Sequence, residues 1–255
     1  MIICKYKTMK IYKYYSANGN NISSLINRQF WASKPSLFND PYDTPVKWLK
    51  YSPGEKIYMT KSTREGSSAK SARRVPMEPV SYSEEEQSKI ENMGIICFSL
   101  EVDNMLLWSH YTDQHQGFAL EFDILDDEID KGMFTPLLKV VYDWDEIKIR
   151  TMSRIIDAAR YKNPVWKYEN EVRLVVGEGN KLYCWDYLHK GCFKNLTGII
   201  FGNRMNGSIE DALIKICESF EPNILIKKAN LSDQAFKLDI SPYKKKKKRT
   251  KNKKS

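Results

Sequence analysis

The sequence has no metal-binding pair of cysteines, no apolar run long enough to cross a bilayer, and no surplus of positive charge outside its last dozen residues. Its five cysteines, Cys4, Cys97, Cys184, Cys192 and Cys217, are scattered, odd in number and never arranged as C-x-x-C beside histidines. Neither a structural zinc site nor a disulfide framework is therefore expected. Cys97 lies in the apolar run GIICFSL, where a free cysteine serves as a small, inert hydrophobe. No stretch approaches the roughly 20 apolar residues that span a membrane. The opening MIICKYKTMK lacks the apolar core and small-residue cleavage site of a secretory leader. A cytoplasmic location without a membrane partner is the expectation. The net charge of +9 is confined to residues 244–255, which carry nine positive charges and no negative one. The rest of the chain balances 32 basic against 32 acidic residues, so the high pI does not signal a basic groove. The Lys-rich tail reads as disordered, either a solubilising or incidental extension or a non-specific, salt-sensitive contact to nucleic acid.

The full chain of 255 residues, with 42% hydrophobic content, suffices for one sizeable core, and residues 1–243 are expected to form a single α+β domain. KIYKYYS reads as an aromatic strand, and Asn20 to Arg28 as a short helix with Ile22, Leu25 and Ile26 inward. A strand follows at Phe30 to Ala32, and SLFNDPYD breaks regular structure through Asn39, Asp40 and Pro41. Tyr51 to Pro79 is poor in apolar residues and reads as a mobile excursion within an insertion near 51–93, with Arg64, Arg73 and Arg74 as candidate phosphate contacts. Ser83 and Glu86 form a capping box. The strand GIICFSL leads to a helix capped by Asp103 or Asn104, with Met105, Leu106, Leu107, Trp108 and Tyr111 apolar, and then to the strand FALEFD. This strand, helix, strand unit has the size of a crossover. LLKVVYD reads as a strand, Asp145 to Arg160 as a helix closed by Pro164, YENEVRLVV as a strand entering the core, and GIIFG as a buried strand. A helix from Ile209 to Phe220 and strands in NILIKKA and AFKLDI complete the pattern.

Three clusters combine polar groups with elements of buried character. Asn39, Asp40 and Asp43 surround a proline turn, where they could orient a ligand or satisfy the turn's own backbone. Ser99, Trp108, His110, Tyr111 and His115 occupy a strand end and the following helix, but no G-x-S-x-G elbow surrounds Ser99. In Trp166 to Arg173, period-two geometry puts Lys167, Glu169, Glu171 and Arg173 on one strand face. The flanking Trp166 and Leu174 to Val176 draw that acidic pair inward, where it needs a reason to exist.

Taken in order, IYKYYS, SLFNDPYD, ICFS with WSHY and QGFALEFD, VWKYENEVRLVV and GIIFG resemble the bacterial Domain of Unknown Function two-nine-seven-one family from about Ile11 to Ile240. The CFS-to-GF segment is also similar to abortive phage-resistance proteins. The resemblance implies an antiviral or stress-response effector and specifies no reaction. The motif order is further similar to that of ADP-ribosyltransferases, which implies a split mixed sheet flanked by short helices. On that analogy Tyr12, Tyr14, Ser99, Trp108, His110, Asn39, Asp40, Asp43 and Arg173 would hold NAD as substrate. Tyr111 would assist, Glu171 would be the catalytic carboxylate and Glu169 would orient the acceptor. The chemistry suits these groups, because breaking the nicotinamide bond develops oxocarbenium charge that a carboxylate stabilises. Two other classes compete: a magnesium-dependent nuclease using Asp40, Asp43 and Glu171, and a non-catalytic module in which FNDPYD and WSHY bind a phage component or partner protein.

Overall fold

The computed structural model describes residues 8–44, 57–61, 73–77, 83–125, 129, 137–143, 155–191, 193 and 196–244. In chain order its main elements are β1 (Thr8–Tyr15), α1 (Gly19–Ile26), β2 (Gln29–Ala32), β3 (Ile57–Lys61), β4 (Arg73–Met77), α2 (Glu84–Asn92), β5 (Gly94–Ser99), α3 (Met105–Tyr111), β6 (Phe118–Leu125), β7 (Leu137–Lys139), β8 (Glu171–Val176), β9 (Lys181–Cys184), β10 (Leu196–Phe201), α4 (Gly207–Phe220), β11 (Leu225–Leu231) and β12 (Leu238–Pro242). The fold is α+β. Among the described residues eight strands form one mixed sheet in the order β12-β11-β10-β6-β1-β5-β8-β7, in which only the neighbours β10 and β11 run parallel.

The middle of this sheet is open. β1 pairs with β6 along all eight of its residues, and β5 with β8 along all six, yet β1 meets β5 only at Tyr12 and Ser99. Beyond that pair β5 takes a different neighbour, with Ser33 bridging to Ile95 through two backbone hydrogen bonds of 3.0 and 2.9 Å. The end of β1 stays against β6 because Gly117 allows it: a Cβ there would overlap the Tyr15 carbonyl oxygen.

Apolar packing fixes both faces. On one, Phe30, Phe98, Phe122, Trp185 and Phe193 form a ring cluster with centroids 5.1–5.8 Å apart. On the other, α3 inserts Trp108 among Ala119, Ile200, Ala229 and Leu238, with its indole N–H donating to the Val102 carbonyl at 2.8 Å. Strand β6 is buried on both sides, as its near-continuous apolar run requires. Helix α3 connects β5 to β6 with β1 lying between them, so the crossover skips one strand.

Several sequence expectations change. The excursion at 51–79 contains the antiparallel pair β3 and β4, and the helix that follows buries Ile90 completely. The capping box at Ser83 and Glu86 is present, as is the Asn104 cap. Ile26 and Leu106 face outward, 53% and 47% exposed, because their helices bury narrower stripes than the apolar residues suggested. β7 covers only Leu137–Lys139. The described part of the expected 145–160 helix is a 3-10 segment at Ile155–Arg160. Pro164 starts the next 3-10 turn instead of closing a helix, since its fixed φ suits a first helical position. The Lys-rich run from 245 lies outside the described residues.

Candidate functional site

The segment Pro164–Glu169 is a 3-10 helix, capped by the Asn163 side chain, which accepts from Val165 N at 3.0 Å. Asn170 then adopts a left-handed conformation (φ 42°), and β8 begins at Glu171. Glu169 and Glu171 therefore do not share a strand face by period two. The reversal at Asn170 brings them to the same buried cation instead, while Lys167 stays in solvent. The Asn170 amide holds this bend by donating to Glu101 Oε1 at 2.7 Å.

Five charged side chains meet here, each no more than 5% exposed: Asp43, Lys162, Glu169, Glu171 and Arg173. The Arg173 fork donates to both Asp43 oxygens at 2.7 Å and to Glu171 at 3.1 and 2.9 Å, and reaches the Ala159 carbonyl at 2.9 Å. Lys162 donates to Glu169 and, at 3.1 Å, to Glu171, and stands 3.6 Å from Asp43. Tyr111 OH donates to the other Glu169 oxygen at 2.6 Å. The turn at 39–44 delivers Asp43 because Asp40 closes an Asx turn onto Tyr42 N at 2.8 Å and accepts the Trp166 indole N–H at 2.7 Å.

Three carboxylates face two cations, and the imbalance falls on one residue. Burial pushes both glutamates upward, but for Glu171 the adjacent Arg173 and Lys162 charges outweigh it and hold the carboxyl at about 2. Glu169 is raised: burial and the neighbouring Glu171 charge exceed what Lys162 and Tyr111 return. Lys162 remains charged, since its three carboxylate neighbours overcome the effect of burial. Tyr111 and the Cys97 thiol are both pushed up by burial first, with carboxylate charge adding to it.

These groups form one end of a cleft of about 530 Å³ at the opening between β1 and β5. Tyr12, Tyr14, Ser99, Asn39, Asp43, His110, Tyr111, Glu169 and Glu171 all line it. His110 is exposed at the rim, its ring 6.3–6.5 Å from Tyr111, Trp166 and Tyr168. Tyr14 donates to the Glu101 carbonyl at 2.6 Å, and burial raises Tyr12 to about 12. Ser99 is a strap: its hydroxyl donates to the Glu169 carbonyl at 2.5 Å and accepts from Glu101 N at 2.9 Å. Trp108, expected at the ligand, belongs instead to the opposite apolar cluster, because the α3 stripe that carries Tyr111 to the cleft turns the indole into the core. Asp40 and Arg173 stand behind the cleft wall and act through Trp166, Asp43 and Glu171.

The acids proposed for magnesium, Asp40, Asp43 and Glu171, have their oxygens taken by Trp166, Tyr42 N, Arg173 and Lys162. Among the described residues no group of three or more His, Cys, Asp or Glu side chains is arranged to hold a metal. Sequence reasoning missed Lys162, Lys13 and Tyr15. The first had an indirect signal, since an acidic pair drawn into the core requires cations from somewhere.

The architecture thus defines an α+β protein with a buried, charge-imbalanced cluster at the mouth of a split sheet. Over residues 107–174 the chain matches the family described as protein of unknown function (DUF2971), a segment that holds Tyr111, Lys162, Glu169, Glu171 and Arg173. No curated protein and no solved structure matches the chain. Among the described residues no helix is long and apolar enough to cross a membrane.

Proposed function

We propose that the cleft binds NAD and breaks its nicotinamide glycosidic bond, releasing ADP-ribose to water or to an acceptor. The observation that carries this reading is the pair of buried carboxylates that face one cleft and share Lys162, their surroundings favouring the proton on Glu169 and the charge on Glu171. With all five groups ionised, the cluster holds one negative charge more than its cations neutralise, and that surplus falls on Glu169. A developing oxocarbenium ion would be stabilised there, and the raised carboxyl is suited to take a proton from the attacking hydroxyl. Glu171 keeps its charge and fixes Lys162 and Arg173, so the roles implied by motif order are exchanged. Tyr12, Tyr14 and His110 supply aromatic surface for the bases. Depletion of NAD would suit an anti-phage or stress-response effector.

The test is NAD consumption by purified protein and in expressing cells. Wild type should deplete NAD and arrest growth, and folded Glu169→Gln should do neither. An unchanged NAD pool with wild-type protein would contradict the reading. A ligand-binding module without chemistry is the second reading, favoured by the internal partners that both glutamates and Ser99 already have. NAD binding without turnover would support it.

A further inference from the structure

Where β1 separates from β5, two polar side chains on the same face of β1 are left with unused capacity. Among the described residues Lys13 Nζ makes one hydrogen bond, to the Cys97 carbonyl at 3.1 Å, and it lies 5.6 Å from the Tyr15 ring centroid and 5.9 Å from that of Phe98. An ammonium carries three donors, so two remain. Tyr15 is 8% exposed and lines the cleft, yet its buried hydroxyl has no partner among the described residues. Such an orphan is uncommon and calls for a ligand or a reason. Ladder bonds between β1 and β5 would have closed this gap, and in their absence it belongs to the cleft.

We infer that Lys13 and Tyr15 form a subsite for an oxyanion of the bound ligand, a phosphate or a carboxylate group. Both offer donors, and low-polarity rings on either side strengthen a charge-assisted bond. The ion pairs of the cluster are made by Lys162 and Arg173, and among the described residues Lys13 takes part in none of them, which leaves it available. Burial lowers the Lys13 pKa, partly offset by Cys97 and Glu171, so an arriving anion would restore its full charge. The subsite is independent of the reaction proposed above and stands even where no bond is broken.

Calorimetric titration of the full chain with ADP-ribose, inorganic pyrophosphate, succinate and uncharged nicotinamide tests this. At least one oxyanion probe should bind wild type. Its Kd should rise about tenfold in Lys13→Met and about threefold in Tyr15→Phe. Binding of ADP-ribose or pyrophosphate alone identifies phosphate, and binding of succinate alone identifies carboxylate. Tyr15→Phe removes a hydroxyl with no described partner, so its Tm should stay level or rise while affinity falls, a combination a structural role does not produce. If Lys13→Met fails to fold, Tyr15→Phe still decides. No binding by any oxyanion probe at millimolar concentration, or wild-type affinity in a folded variant, overturns the inference.

Discussion

Two buried glutamates lie on one cross-strand row of the sheet, Glu121, Tyr12, Ser99 and Glu171 on β6, β1, β5 and β8, and their surroundings differ in one respect. Three strand spacings separate them, roughly 14 Å. Glu121 is 1% exposed, accepts from Lys10 at 2.8 Å and Lys227 at 2.6 Å, and has Asp123 as a second acid on Lys10. Two acids meet two cations that reach solvent, and hydrogen bonding with attraction outweighs burial, so Glu121 is lowered. At the other end three acids meet two sequestered cations, and Glu169 is raised. Burial of a carboxylate is thus no functional signature by itself. A charge count that fails to close beside a cleft is the informative feature.

Substitutions at the two ends of the row should differ in cost. Arg173→Ala should have the largest effect, since it strands Asp43 and Glu171 without their shared partner; a loss of about 3–5 kcal/mol is expected in denaturant unfolding. Lys227→Met at the balanced end should cost about 1 kcal/mol, because Lys10 and solvent still serve Glu121. Equal losses would remove the distinction. Tyr111→Phe deletes one hydrogen bond to Glu169 and should cost about 1 kcal/mol. Glu169→Gln balances the cluster and should leave Tm unchanged or higher while abolishing activity.

Acid sharpens the same contrast. Glu171 has its folded pKa lowered from 4.5 to about 2, so its contribution is present above 4.5 and lost as pH falls through about 2. Glu169, raised, works in the opposite sense: its contribution is full below its unfolded pKa and lost as pH rises through its folded one. Melting curves should therefore show an acid limb that Glu171→Gln flattens. Glu169→Gln should gain relative to wild type toward neutral pH.

Much of this was legible in the sequence. Capping residues Ser83 and Asn104, the aromatic run of β1 and the apolar run of β6 are local signals, and they set the elements that carry the site. Asp43 stood out for its proline turn, Tyr111 for its place on the helix after the Ser99 strand, and Glu169, Glu171 and Arg173 because charged groups beside an apolar run need partners. Their geometry was not legible. Lys162 lies in YKNP with no periodicity to mark its burial, and the left-handed turn at Asn170 reversed a pattern that reads as continuous strand. The opening between β1 and β5 was equally hidden, since each strand pairs perfectly well on its other edge.

Glu169 and Glu171 should titrate apart because the cluster has one acid too many. Carbon-13 NMR titration of the glutamate carboxyl carbons, assigned with Glu169→Gln and Glu171→Gln, tests it directly. Glu171 should titrate near 2 and Glu169 above the ordinary glutamate value of 4.5. Both at ordinary values, or Glu171 the higher of the two, would contradict it.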